Sequence, residues 1–195
     1  MQKLTLAIGS TMCLAVLMVP NLVTQEQVSI PHLFELLQSE NTTAAATAKF
    51  LQLGPGNADA KEYLAKRLPA VINEEPKNYF VWANCVRLAG AFKLKEAIPA
   101  LVKAISAATA DGQTLAGNAR LDPFPCAKAL VKIGEPAVPS LVEVMEEADW
   151  RRRWFAYRVL FLIGSPRSID ALRDHIEHEP NQDLRQEIQK ALSER

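Results

Sequence analysis

The sequence predicts an all-α solenoid of about five repeated helix pairs. Two observations lead to this fold class: a four-residue motif recurs along the chain, and the apolar segments between its copies end on glycine. The motif has four positions: an aliphatic residue, then in most copies a proline, then any residue, and last a leucine. It occupies residues 30–33, 98–101, 138–141 and, without the proline, 169–172. A repeated helix pair cannot bury its apolar face alone, so such pairs stack on one another.

Each copy of the motif is expected to form the first turn of a helix. Proline is tolerated there because its missing N–H would have no acceptor within the helix. The leucine serves as an anchor, and it shares a helix face with the apolar residue four positions later. A fifth copy without the proline fits at Leu68, which has Ala65 before it and Ile72 after it. The anchors are Leu33, Leu68, Leu101, Leu141 and Leu172, and only the interval before Leu141 is long.

A second apolar segment lies between successive anchors and predicts the other helix of each pair. These segments cover residues 42–53, 78–89, 126–133 and 150–163, and the glycines that follow them are Gly54, Gly90, Gly134 and Gly164. Glycine after a periodic apolar run typically ends a helix, because it adopts the left-handed conformation at no steric cost. Start signals are Asn41, Asp149 and the Glu-Pro pairs at 75–76 and 179–180. We therefore expect roughly ten helices, alternating between an A position (these segments) and a B position (the anchor helices).

The C-terminal helix has the pattern of a cap on the array. Leu184, Ile188 and Leu192 form a single stripe in the otherwise polar segment 181–193. A terminal repeat buries one side and exposes the other, as this stripe predicts. The segment 150–163 is apolar around much of its circumference, as expected for a helix between two neighbours.

Two blocks carry a resemblance to a known family. Residues 132–141 and 162–172 resemble the turn and second helix of a HEAT-like repeat, of the short bacterial type also found in phycobilisome lyases. Asp149, Arg153, Ala156 and Leu160 are similar to the family's first helix, in which the aspartate and the arginine commonly link neighbouring repeats. The resemblance covers about residues 28–193 and implies a right-handed, armadillo-like α-solenoid. It implies little about activity, because this architecture serves many unrelated functions.

Composition agrees with a folded domain of zero net charge. The chain has 195 residues, of which 49% are hydrophobic and 23% charged, and its lysines and arginines balance its acidic residues. A disordered chain would be poorer in apolar residues. A protein that binds the phosphates of a nucleic acid would carry an excess of lysine and arginine. Nucleic acid is therefore not an expected partner.

The N-terminus differs from the rest of the chain. Lys3 is the only charged residue before Glu26, and residues 4–23 are almost all apolar. This pattern is typical of a secretory signal peptide within residues 1–25. Retention as an uncleaved membrane anchor is the competing interpretation, because about 20 helical residues span a hydrocarbon core. Either outcome exports the repeat domain, residues 28–193, to the periplasm or the cell exterior.

The sequence predicts no catalytic, cofactor-binding or metal-ligating residue. Cys85 and Cys126 lie in A segments of neighbouring repeats and are expected to be buried, unpaired thiols. His175 and His178 are three residues apart, but a zinc site normally needs three or four ligands, so we expect a solvated helix face.

The segment 149–155 interleaves basic and aromatic residues, as some nucleic-acid-binding surfaces do. The structural interpretation is favoured instead. It places Asp149 at a helix N-cap, buries Trp154 and Leu160 against neighbouring repeats, and pairs the arginines with the nearby acidic residues Glu146, Glu147 and Asp149.

One candidate binding face follows from the helical register. Residues two and five positions after each anchor are expected to point outward from the B helices, and in the last two repeats all four are acidic. The candidate face consists of Glu143, Glu146, Glu147, Asp174 and Glu177. We hypothesise that a cationic segment of another protein docks there; an ordinary solvated face is the alternative. The long interval at residues 106–125 is a second candidate for partner binding.

These patterns together favour a non-catalytic protein-binding or assembly scaffold that is exported from the cytoplasm of a bacterium. No cofactor is expected, and the only expected membrane contact is through residues 4–23 if they are retained. The alternatives are a subunit of an enzyme, suggested by the resemblance to bilin lyases, and a membrane-anchored structural subunit of an envelope complex.

Overall fold

The computed structural model describes residues 29–107, 121 and 124–194. These residues form ten α-helices and contain no strand, as the sequence predicts. The helices are α1 (Ile30–Leu37), α2 (Thr43–Leu53), α3 (Ala58–Asn73), α4 (Tyr79–Ala91), α5 (Ile98–Lys103), α6 (Pro125–Ile133), α7 (Val138–Met145), α8 (Trp150–Ile163), α9 (Pro166–Ile176) and α10 (Gln182–Ser193). Short 3-10 turns at Lys95–Ala97 and Glu135–Ala137 lead directly into α5 and α7.

The helices form two parallel rows. Helices α2, α4, α6 and α8 make up the A row, and each contacts the next member of that row. Helices α1, α3, α5, α7 and α9 make up the B row in the same way, and each of the first four contacts the A helix that follows it. Helix α10 packs on α9 at the C-terminal end. The observed architecture is therefore a stack of helix pairs, as expected for a helical repeat fold.

The core lies between the rows and is built on the predicted anchors. All five anchor leucines are buried, and so are the apolar residues four positions after them: Leu37, Ile72, Ile105, Met145 and Ile176. Burying a leucine fully contributes roughly 1.5–3 kcal/mol, so one motif per repeat accounts for much of each inter-row contact. At the C-terminal end Leu184 and Ile188 are buried and Leu192 is partly buried, which confirms the predicted cap.

The predicted helix starts are correct in part. The side chain of Asp149 accepts a hydrogen bond from the Arg151 N–H at 2.9 Å, as an N-cap does. The prediction for Asn41 is wrong, because α2 is preceded by Thr42, whose hydroxyl donates to the Leu36 carbonyl at 2.6 Å. The Glu-Pro pairs lie in the loops before α4 and α10, and the residues that cap these helices are Asn78 and Asn181.

The prediction that Gly90 ends its helix is also wrong. Helix α4 continues through it to Ala91, and the turn that follows uses Lys93, whose φ is 52°. A Cβ atom on Gly90 would lie only 2.8 Å from the Cα of Ala129 in α6. Glycine is needed here because two A helices cross closely. Gly54, Gly134 and Gly164 do end their helices, all at positive φ.

Some expectations fall on parts of the chain outside the described residues. These are the apolar segment at residues 4–23 and most of the long interval at 106–125. Leu121 and Phe124, at the end of that interval, are both buried. Within the described part of the chain no helix has the length and apolar character needed to cross a membrane.

Candidate functional site

The B row presents the predicted outward positions to solvent. All ten residues at two and five positions after the anchors are exposed: Glu35, Gln38, Ala70, Asn73, Lys103, Ser106, Glu143, Glu146, Asp174 and Glu177. Glu147, which belongs to the candidate face but not to these ten positions, is half-buried rather than exposed. The register derived from the motif is therefore correct along the whole row.

The candidate face lies across α7 and α9, which contact each other. Glu146 Oε1 is 2.9 Å from His175 Nε2, so the end of α7 and the last turn of α9 meet at this pair. No hydrogen bond or ion pair within the described residues engages the carboxylates of Glu143, Asp174 or Glu177. The face thus keeps three unpaired negative charges in adjacent repeats, and one further carboxylate whose partner is a histidine.

Glu147 has a structural role instead. Its carboxylate accepts hydrogen bonds from the guanidinium of Arg152. The same guanidinium donates to the carbonyl of Lys103 at 2.8 Å and to that of Val102 at 3.2 Å. These carbonyls are in the last turn of α5, where a cation is favourable. Arg152 therefore connects the start of α8 to an earlier repeat, and Glu147 orients it.

Arg153 and Glu179 form a buried ion pair that the sequence analysis did not predict. The guanidinium donates to both carboxylate oxygens, at 2.9 and 2.7 Å. It also donates to the carbonyls of Glu147 and Ala148, at 2.8 and 2.9 Å. The two side chains are 6% and 0% exposed. A charged arginine on the buried side of an apolar helix requires a partner of this kind, and that requirement was the available signal.

Several groups complete this arrangement around Glu179. Its carboxylate accepts the backbone N–H of Asn181 at 2.8 Å, and Arg185 donates to its backbone carbonyl. Burial raises the pKa of the Glu179 carboxyl, but hydrogen bonds from Arg153, Asn181 and Tyr157 outweigh burial and leave that pKa below its usual value. The pair therefore stays ionised and joins α8 to the loop before α10.

The burial of Trp154 and Leu160 is confirmed. Of the predicted arginine pairings, only that of Arg152 with Glu147 is observed within the described residues. Glu146 pairs with His175 instead, and the Asp149 side chain caps α8. Arg152 and Arg153 are engaged inside the protein and stabilise contacts between repeats, whereas Trp150 and Arg151 are exposed.

The two cysteines are free and buried. Burial raises the pKa of each thiol to about 12, so both remain protonated and weakly nucleophilic at neutral pH. Among the described residues, no group of three His, Cys, Asp or Glu side chains could hold a metal ion.

Comparison with known proteins gives one result. Residues 126–193 match a family model of HEAT repeats. The match begins inside α6 and ends with α10, so it includes the candidate face and the Arg153–Glu179 pair. The chain matches no curated protein and no solved structure. The match and the two stacked rows of helices together support a HEAT-like repeat protein.

Proposed function

We propose that this chain is a non-catalytic scaffold that binds a cationic segment of another protein on the acidic end of its B row. HEAT repeats commonly serve in protein interaction, and solenoids bind partners along the exposed face of a helix row. The observation that carries the proposal is the set of unpaired carboxylates of Glu143, Asp174 and Glu177 on adjacent helices.

Charge complementarity determines the kind of partner. The exposed positions at the start of the same row are mixed, with Glu35, Ala70 and Lys103 two residues after their anchors. Only the last two repeats present acidic residues at every such position. A lysine- or arginine-rich segment would therefore be steered to the C-terminal end of the row.

Reversing two of these charges tests the proposal. We expect the Glu143→Lys/Asp174→Lys variant to bind a fluorescent lysine-rich peptide at least about tenfold more weakly at low salt, because two attractions become repulsions. Fluorescence anisotropy measures this. The variant should also capture less of the native partner from an envelope extract.

The matched control is Glu35→Lys/Asp59→Lys, which makes the same change in net charge on exposed residues of α1 and α3. Its affinity for the peptide should stay close to that of the unmodified protein. Equal weakening in both variants, or none in either, would show that the C-terminal face is not the binding site. Circular dichroism confirms that each variant is folded.

We further propose that the repeats act outside the cytoplasm, in the periplasm or as a secreted protein. The support is the apolar segment 4–23 with Lys3 before it. In cells expressing the full chain, protease added after permeabilisation of the outer membrane is expected to degrade the repeat domain. Mass spectrometry of the N-terminus then distinguishes removal of residues 1–25 from their retention as an anchor. Protection from the protease until the inner membrane is lysed would disprove export.

A further inference from the structure

The charged residues of helices α2, α4, α6 and α8 are all basic. Helices α2, α4, α6 and α8 contain no aspartate or glutamate, yet they contain eight basic residues: Lys49, Arg87, Lys128, Lys132, Arg151, Arg152, Arg153 and Arg158. Arg152 and Arg153 are engaged inside the protein, as described above. Of the others, all but the half-buried Arg158 are exposed.

The B helices differ sharply. Every helix from α1 to α9 that contains an acidic residue belongs to the B row, and these residues are Glu35, Asp59, Glu62, Glu143, Asp170 and Asp174. The same B helices also contain six basic residues, so their net charge is zero, whereas the four A helices carry basic residues only. The acidic residues that balance the A helices lie in the loops and termini.

Acidic residues also lie beside the A row, in the loops before α2, α4 and α8. Helix α10, the next helix of the alternation, packs beside α8 and carries two acidic and two basic residues, with the Glu187 carboxylate 3.4 Å from the indole nitrogen of Trp154.

Large apolar side chains are exposed on three of the four A helices, α2, α4 and α8. Among the described residues, the exposed large hydrophobics are Leu53, Phe80, Trp150 and Leu162, at 41%, 50%, 44% and 43% exposure. All four lie on A helices and none on a B helix. Single exposed apolar residues are common on proteins, but their confinement to the acid-free row is a second, independent feature of that row.

Exposed apolar residues and basic residues share a side on α2, α4 and α8, while Trp150, the first residue of α8, lies about 120° around that helix from Leu162. On α4, Phe80 and Arg87 are seven residues apart, and on α8 Arg158 and Leu162 are four apart, so each pair is on one side of its helix. The A helices pack side by side, and the B row covers the side of the A row that faces it. The sides of these four A helices that face away from the B row are called the outer A face.

We propose that the outer A face binds the surface of an anionic lipid bilayer. Lysine and arginine near a bilayer interact with anionic headgroups, while tryptophan, phenylalanine and leucine enter the interfacial region. Acidic residues would be repelled by such a surface, and the four helices carry none. The proposal uses the opposite row from the cationic-segment site and is independent of it.

The apolar residues favour a bilayer over nucleic acid. Stacking on unpaired bases uses aromatic rings, and phosphates need only cations. Leu53 and Leu162 contribute to neither, whereas aliphatic burial at a lipid interface is favourable. Since residues 4–23 are expected either to direct export across a membrane or to anchor the chain in one, a second membrane contact along the repeats would orient the B row, with its acidic C-terminal end, away from the bilayer.

Trp150 provides a direct readout of contact between the repeats and a bilayer. The chain has three tryptophans; Trp82 and Trp154 are 3% and 8% exposed, and Trp150 is 44% exposed. Vesicles with brominated acyl chains should quench the fluorescence of the full chain when they contain phosphatidylglycerol, and much less when they contain only phosphatidylcholine. Most of this quenching should be lost in the Trp150→Phe variant.

Charge reversal then tests the surface. The Arg87→Glu/Lys132→Glu variant should need at least roughly 30-fold more phosphatidylglycerol vesicles for half-maximal quenching, because each basic residue near an anionic surface contributes about fivefold to binding and the new glutamates are repelled. The control, Lys61→Glu/Arg167→Glu, makes the same charge change on α3 and α9 of the B row and should leave the midpoint within about twofold, a margin below the contribution of one surface-bound cation.

Three results would overturn the proposal. These are equal quenching by the two vesicle types, equal midpoints for the two charge-reversal variants, and weakened binding of single-stranded DNA without any change in vesicle binding. The last would assign the face to nucleic acid. Far-UV circular dichroism shows whether each variant keeps the helix content of the unmodified chain.

Discussion

Replacing Arg153 with alanine is expected to lower the free energy of unfolding by about 3–5 kcal/mol. The substitution leaves the fully buried carboxylate of Glu179 without its cation, and it leaves the carbonyls of Glu147 and Ala148 without their donor. Urea denaturation followed by circular dichroism measures the change. Arg151→Ala is the matched control, because Arg151 is an exposed neighbour on the same helix, and it should change stability by less than about 0.5 kcal/mol. Equal denaturation midpoints for the two variants would show that the buried pair contributes nothing.

The same pair makes stability depend on pH in a defined direction. The pKa of Glu179 is lowered in the folded protein, so the pair stabilises the fold fully above the carboxyl's ordinary pKa of about 4.5. That stabilisation is lost as the pH falls through the lowered pKa. Glu179→Gln should therefore show a smaller loss of stability below pH 4.5 than the unmodified protein does.

Replacing Gly90 with alanine is expected to destabilise the protein by about 1–3 kcal/mol, although glycine to alanine in a helix interior ordinarily stabilises by up to about 1 kcal/mol. The sign reverses because the new methyl group would lie 2.8 Å from the Cα of Ala129, a backbone atom that cannot rotate away. Helices α4 and α6 would have to separate.

Thermal and urea unfolding of Gly90→Ala measure this effect. Gly56→Ala is the control, because a Cβ at Gly56 meets nothing within 4 Å, and its stability should be unchanged or slightly higher. A Gly90→Ala variant more stable than the unmodified protein would mean that the crossing of α4 and α6 relaxes without cost.

The repeat architecture could be predicted because its signal is local in sequence. The proline in the first turn, the leucine two residues later and the apolar residue four beyond it specify one face of one helix. The prediction that Gly90 ends its helix is wrong for a physical reason. Glycine permits both a left-handed turn and a close helix crossing, and only the position of α6 distinguishes the two. Thr42 and Asn41 are adjacent polar residues, and the sequence does not show which one the chain geometry places at the cap.

For the candidate site, the sequence predicts which side chains are exposed but not which of them pair. The exposure of Glu143 and Asp174 follows from the register alone. The pairing of Glu146 with His175 and of Arg153 with Glu179 depends on how separate helices meet, which local spacing does not encode. The absence of acidic residues from helices α2, α4, α6 and α8 can, in contrast, be read from the sequence, but the net charge of the chain hides it because the loops and termini carry the balancing acidic residues.

Arg152 and Arg153 are consecutive residues that reach in opposite directions along the array. Arg152 reaches back to α5, about 50 residues earlier in the chain, and Arg153 reaches forward to the loop before α10. In a linear array, cooperativity between units comes from such nearest-neighbour couplings. Arg152 therefore joins the segments on either side of residues 108–120 directly. We expect the array to unfold as one unit rather than as two independently melting halves, despite the long connection there.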